Sequence, residues 1–269
     1  MLVTGGGTNL GKAAAAELAR CGAAVVIAGR REDVLEAATR EIGERNSWVT
    51  GDIRERHDAD RERHDAERLL RAVLERHGRL DFLLNNAGGQ YFAAAEHITL
   101  KGWRAVQRLN VAGTLNMSRA AHDIAMAPAG SGTIVNVTVS PHHGMPAMAH
   151  TGAARAMVEQ LTRELAESWA AEGLAVAAIA LGRFATESIR KYPAELWRRA
   201  AESVPLQRLG LVEEYGWLVA LLASPLGPAC SGSVITLDGA MDNWFGRWPP
   251  ESLSADGGVP TEARQPRSV

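Results

Sequence analysis

The chain of 269 residues is short of cysteine, of aromatic side chains and of net charge, and each shortage closes off a class of protein. Two cysteines, Cys21 and Cys230, build no disulfide framework and no metal-ligand motif, so free thiols in a reducing compartment are expected. Aromatic residues make up 5% of the chain, and only three are tyrosines, Tyr91, Tyr192 and Tyr215. Lys plus Arg number 29 against 31 Asp plus Glu, a formal charge of -2, so no global positive field draws the chain to nucleic acid or an anionic membrane. No apolar run approaches the ~20 residues of a spanning helix, no basic-then-apolar leader is present, and Arg267-Ser268-Val269 is not a peroxisomal address. A cytoplasmic protein acting on a small molecule is the expectation.

What the chain does have is glycine, 27 residues of it. Leu2-Val3-Thr4-Gly5-Gly6-Gly7-Thr8-Asn9-Leu10-Gly11-Lys12 is an apolar run that turns through glycines into an Ala-rich helix. Glycines let the backbone approach a phosphate with no Cβ in the way, and a helix starting near Gly11 aims its free N–H groups at the anion. A strand over 23–28, ending at Gly29-Arg30-Arg31, and a helix over 32–42 complete a strand-helix-strand unit. Such units usually carry an acid there for the ribose hydroxyls. Arg30 and Arg31 suit a 2′-phosphate instead, so NADP(H) is expected; the other reading is a solvated surface pair. A third strand over 48–51 delivers Asp52 and Ile53 toward an adenine. Residues 54–60 are repeated almost verbatim as 61–67, nearly two helical turns; with charges all round and no third ligand near His57 or His64, a solvated helix and no metal are expected. Strands over 80–84, 133–138, 174–180 and 233–237 follow, with helices over 101–126, 149–171, 195–202 and 213–222. The pattern predicts one α/β domain over 1–245, a Rossmann-type doubly wound parallel sheet of seven strands, and a loose tail over 246–269.

Thr4-Gly5 through Gly11, Asn85-Asn86-Ala87-Gly88, Asn110, Gly182 with Thr186, and Asp238-Gly239, in that order, resemble the short-chain dehydrogenase/reductase family over about residues 2–240. Asn85 through Phe92, Ala95-Glu96-His97-Ile98, Lys101-Gly102-Trp103 and His150-Thr151-Gly152-Ala153-Ala154-Arg155-Ala156 are similar to its peroxisomal trans-2-enoyl-CoA reductase type. The related 2,4-dienoyl-CoA reductases also depart from the family's usual Tyr-x-x-x-Lys pair. The resemblance implies a cofactor map. Thr4, Gly5, Gly7, Thr8, Asn9, Leu10 and Gly11 would wrap the pyrophosphate, Arg30 and Arg31 the 2′-phosphate, and Asp52 and Ile53 the adenine. Asn86, Ala87 and Gly88 would take the adenosine ribose side, and Gly182, Phe184 and Thr186 the nicotinamide side. Asn9 replaces the family's middle glycine and Leu181 its usual proline. A homodimer or homotetramer is expected through helices 101–126 and 149–171, whose apolar and small residues exceed what one sheet face buries.

Carbonyl reduction in the family uses a Tyr proton donor, a Lys four residues later and a Ser. Here Thr151 and Arg155 stand where the pair would be, and the Ser place falls at Thr138 or Val139, with Ser140 the nearest other hydroxyl. Thr151 is a far poorer acid than a phenol, and Arg155 stabilises an anion but does not shuttle a proton at neutral pH. Hydride added to the β-carbon of an enoyl thioester leaves an enolate, which needs hydrogen-bond donors or positive charge more than a phenol. Arg155, Thr151 and Ser140 are the candidates to supply them, and Asn110 resembles the family's water-holding helix residue. Water, His142, His143 or His150 would protonate the α-carbon. The expected activity is NADP(H)-dependent reduction of a C=C bond in an enoyl thioester or similar conjugated substrate. Beside it stand a ketone or alcohol oxidoreductase and an NADP-binding accessory protein without turnover.

Overall fold

Seven strands, β1 (Leu2–Thr4), β2 (Val26–Gly29), β3 (Ser47–Thr50), β4 (Phe82–Asn85), β5 (Gly132–Val139), β6 (Leu174–Leu181) and β7 (Val234–Leu237), build the sheet of the computed structural model. It describes residues 1–54, 65–140, 147–187 and 199–243. All strand pairs are parallel, in the order β3-β2-β1-β4-β5-β6-β7. Between β1 and β4 the winding direction reverses, which opens a crevice at the carboxyl ends of these two strands. The helices are α1 (Asn9–Arg20), α2 (Glu32–Ile42), α3 (Asp65–His77), α4 (Leu100–Gln107), α5 (Gly113–Ala121), α6 (Ala127–Ala129), α7 (Ala149–Trp169) and α8 (Val212–Leu222).

Strand side chains alternate between two cores. Leu2, Val26, Leu83, Ile134 and Val176 join Leu69, Leu70 and Val73 of α3 and Met117 of α5. Val3, Ile27, Leu84, Val135 and Ile179 join Leu18 of α1, Leu35 of α2 and Tyr215 and Val219 of α8. Cover on both faces is why the strands are apolar almost throughout. A buried polar rung crosses the centre: Asn85 Nδ2 donates to Ser118 Oγ and to Asn136 Oδ1, both at 2.9 Å, and Asn136 Nδ2 donates to Thr162 Oγ1 at 3.0 Å.

Differences from the sequence expectation have local causes. β2 begins at Val26 rather than at 23, because Asn46 Oδ1 takes the Val25 N–H at 3.0 Å. The helix expected over 101–126 widens into π turns at Arg108–Ala112 and His122–Met126. At the first of these, Asn110 Nδ2 donates to the Val106 carbonyl at 2.9 Å, so a side chain competes with the main-chain ladder. The helix expected over 195–202 is described only from 199, where it is helical. Most of the duplicated heptad, the histidines 142 and 143, Tyr192 and the tail over 246–269 lie outside the described residues. No helix among those described is long and apolar enough to cross a membrane. Among the described residues no group of three His, Cys, Asp or Glu is placed to hold a metal ion, and Cys21 and Cys230 are free thiols.

His122 clamps two helix ends together. Its ring stacks on Trp169 at 4.3 Å between centroids, Nδ1 meets Asp123 Oδ1 at 2.6 Å and Nε2 meets Glu172 Oε2 at 3.0 Å. Burial works to lower its pKa, but the bonds to Asp123 and Glu172 and their charges together raise it. A raised folded pKa adds stability that is complete below the ordinary histidine value and is lost as the pH rises through the folded value. The melting temperature of the wild type, relative to that of His122→Ala, should therefore fall across this window above the ordinary value. A pH-independent difference between the two melting curves would remove the clamp from the account.

Candidate functional site

At the crevice, the chain leaves β1 through a closed turn. Gly5 sits at φ +65° and donates its N–H to Ala28 O at 2.8 Å. Thr4 Oγ1 donates to Leu84 O at 3.2 Å and accepts from Ala87 N at 3.0 Å. Asn86 Nδ2 donates to the carbonyls of Thr4 at 3.1 Å and Gly5 at 3.4 Å. Gly11 has no room for a side chain, since a Cβ there would lie 2.3 Å from Gly5 O and 2.5 Å from Asn86 Nδ2. A Cβ at Gly7 would come to 3.1 Å from Val34 Cγ1, a closer than ordinary contact, and Leu10 packs against the core on this side of the sheet. The cap residue Thr8 makes no side-chain cap bond and the first turn of α1 has no acid, which leaves positive backbone dipoles for an anion. These residues fit a pyrophosphate.

Asn9 adopts φ 46°, the left-handed region a glycine would favour, and its Oδ1 accepts from Glu187 N at 3.1 Å. The side chain thereby joins the glycine turn to the segment carrying Gly182, Phe184 and Thr186. In that segment Phe184 is buried and pairs with Gly210, Thr186 N bonds to Phe184 O at 2.9 Å, and a Cβ at Gly182 would strike Asp238 Cβ at 2.5 Å. Arg30 and Arg31 follow β2, exposed, and pair with no carboxylate among the described residues. Asp52 is held by Arg54, whose hydrogen bonds are the largest cause of its lowered pKa; the charge of Arg30 contributes as well. Ile53 is part of the core, with its Cδ1 2.7 Å from where a Gly113 Cβ would be. The structure thus ties Asp52 to Arg54 and packs Ile53 against α5.

A second group of residues assembles beyond Gly88. A Cβ on Gly88 would lie 2.6 Å from Arg155 Nη2 and 2.9 Å from Asn110 Oδ1, so this glycine lets both side chains reach its backbone. Asn110 Oδ1 accepts from Gly89 N at 3.1 Å and its Nδ2 donates to Gly89 O at 2.9 Å. Arg155 is 8% exposed, donates through Nη1 to Val137 O at 2.6 Å and keeps an Nε with no partner among the described residues. No carboxylate among the described residues pairs with it. Burial pushes the guanidinium down to about 10, with the nearby Tyr215 opposing the shift, so the charge persists at neutral pH. One turn earlier on the same helical face, Thr151 is fully buried and its Oγ1 has no partner among the described residues. His150 is likewise enclosed, edge-on to Tyr91 at 4.3 Å between centroids, with both ring nitrogens unpartnered among the described residues and its pKa lowered by burial.

The hydroxyls at the end of β5 point elsewhere. Thr138 Oγ1 contacts Glu159 Oε1 at 3.0 Å and Arg155 O at 3.3 Å, and the neighbouring position is the apolar Val139. Ser140, expected as an oxyanion donor, gives its proton to Asp238 Oδ2, which also accepts from Asp242 N at 2.7 Å. The proton of Ser140 is thus committed to Asp238, while Arg155 stands against Gly88 and Thr151 lies one turn earlier on α7. Two participants escaped the sequence reading. In the sequence Asp238 stands out only within the closing Asp238-Gly239, and Tyr215, whose phenol donates to Asn86 Oδ1 at 3.2 Å, only as one tyrosine in an aliphatic helix.

Residues 6–242 match the family described as Enoyl-(Acyl carrier protein) reductase. The chain belongs to the short-chain dehydrogenase/reductase family and is an oxidoreductase of it. It is similar to the peroxisomal 2,4-dienoyl-CoA reductase of Arabidopsis thaliana, 31% identical over 89% of this chain and 83% of that protein. A probable 2,4-dienoyl-CoA reductase of Bacillus subtilis is 33% identical over 93% of this chain and 98% of that protein. Among solved structures, an actinorhodin polyketide ketoreductase with NADPH superimposes with a TM-score of 0.82 at 27% identity, covering 90% of this chain and 97% of that one.

Proposed function

We propose that the chain is an NADP(H)-dependent reductase of the C=C bond in an enoyl thioester or similar conjugated substrate, working without the family's usual Tyr-Lys pair. The observation that carries this is Arg155, a buried cation with no carboxylate partner among the described residues, set against Gly88 and Asn110. A buried charge left unpaired is costly, and an anion forming beside it would offset that cost. When bound, NADPH supplies a hydride to the β-carbon of the conjugated bond. The π electrons then move toward the thioester oxygen, and Arg155 and Thr151 stabilise the resulting enolate by charge and by a hydroxyl donor. Proton delivery to the α-carbon falls to water or to His150. Arg30 and Arg31 take the 2′-phosphate, and the turn from Thr4 to Gly11 takes the pyrophosphate. Names of the two dienoyl-CoA reductases and the NADPH of the ketoreductase support this reading. The free thiols agree with a cytoplasmic setting.

A second reading, a cofactor-binding protein without turnover, draws support from the commitment of Ser140 to Asp238. Incubation of the pure protein with NADPH and a panel of enoyl thioesters and ketones separates the two. NADPH consumption with an enoyl thioester is the expected result; binding without consumption by any substrate would favour the second reading.

We also propose self-association as a homodimer or homotetramer through α4, α5 and α7. Leu100 and Trp103 on α4 and Met157 on α7 are exposed at 63%, 39% and 51%, more large apolar surface than a solvated helix pair usually shows. Sedimentation at micromolar protein should show a dimer or tetramer, and Met157→Glu should shift it toward monomer. A wild-type monomer under these conditions would remove the proposal.

A further inference from the structure

Tyr215 belongs to neither group of site residues, yet it touches the first and lies within electrostatic reach of the second. It is fully buried in α8, in the same core as Val3, Leu84 and Phe184. Its hydroxyl donates to Asn86 Oδ1 at 3.2 Å. Burial pushes the phenol well above the ordinary tyrosine range, with the charge of Arg155 opposing, so it remains a protonated donor at every working pH. A donor on Oδ1 decides which way the Asn86 amide faces. Nδ2 then donates to Thr4 O and Gly5 O, whereas the flipped amide would set its oxygen against two carbonyl oxygens. The same Nδ2 occupies the space that a side chain at Gly11 would need. The amide is thus wedged between the end of β1 and the first turn of α1, the two walls of the phosphate turn.

We propose that Tyr215 is a positioning residue for this turn: by donating to Asn86 Oδ1 it holds the amide in place, keeps the backbone N–H groups from Gly6 to Gly11 aimed at the pyrophosphate, and so raises cofactor affinity from α8, the helix packed beside α1 on the same face of the sheet. The proposal rests on the NADP(H) reading. Its test is Tyr215→Phe, which keeps the ring and removes the donor. The dissociation constant for NADPH should rise about fivefold to tenfold, in line with one buried hydrogen bond. In cofactor-free protein, hydrogen exchange at the amides of residues 5–11 should quicken, while those of β5 and β6 stay protected. Combining it with Asn86→Ala should add little to the loss from Asn86→Ala alone, because both act on one amide.

Unchanged NADPH affinity and unchanged exchange at 5–11 would overturn the proposal. So would exchange that quickens equally throughout the sheet with a lowered melting temperature, since that is mere loss of packing. Should the wild type bind no NADPH, the cofactor reading fails by itself, and the exchange pattern in cofactor-free protein still decides whether Tyr215 shapes the turn.

Discussion

Arg155→Ala is expected to lower turnover of an enoyl thioester by about a hundredfold or more, an oxyanion-type loss on the order of 3 kcal/mol. NADPH binding should fall much less, because the proposed reading assigns it to the glycine turn and Arg30. The reason lies in where the guanidinium sits. It is buried against Gly88 and Asn110, one bond goes to Val137 O, and no carboxylate among the described residues neutralises it. A charge already stripped of water loses nothing more when the enolate forms, so its attraction is realised in the transition state. Arg155→Lys should keep part of the activity, since charge survives without the planar fork. With the guanidinium at about 10, activity should hold through neutral pH and fall as the pH approaches that value. If Arg155→Ala lowers the melting temperature while turnover per folded molecule stays near wild type, Arg155 is a structural residue and the proposed chemistry loses its main group.

The second large effect is expected from Arg30→Asp, which should reverse cofactor preference from NADPH to NADH. Arg30 stands at the end of β2 where the ribose of a bound dinucleotide is carried, exposed and with no carboxylate partner among the described residues. A hydrogen-bonded guanidinium-phosphate contact is worth about 1.5–3 kcal/mol, roughly tenfold to a hundredfold in affinity. Aspartate removes that contact, repels the 2′-phosphate and accepts from the ribose hydroxyls instead. The charge of Arg30 also reaches Asp52, but Arg54 already holds that carboxylate, so the substitution should leave the β3 end intact. Parallel titrations with NADPH and NADH decide the matter. Equal affinity of the wild type for the two would withdraw the assignment.

Much of the local geometry around the candidate site was legible because its signals are local. The turn from Thr4 to Gly11 was readable since glycine alone permits that path, and the Thr151-Arg155 pair because four residues span one helical turn. Ser140 misled for a physical reason. A hydroxyl near the end of β5 looks like a donor to substrate, but β5, β6 and β7 are neighbours, and that adjacency brings Asp238 to it. Asn9 stands where the family's middle glycine would be, and only the fold shows that its side chain takes the Glu187 N–H.

By itself the sequence determined the alternation of strands and helices, their parallel arrangement and the glycine turn after β1, because apolar period, glycine placement and helix-end chemistry act over a few residues. Tertiary structure alone decided which polar groups meet. Ser140 finds Asp238 98 residues away, Asn9 finds Glu187 178 residues away and Tyr215 finds Asn86 129 residues away, each across strands whose order no local pattern encodes. The same packing left Arg155 without a carboxylate among the described residues. Hydrogen-bond partners in a parallel sheet are set by strand order, and strand order is a property of the whole chain's packing.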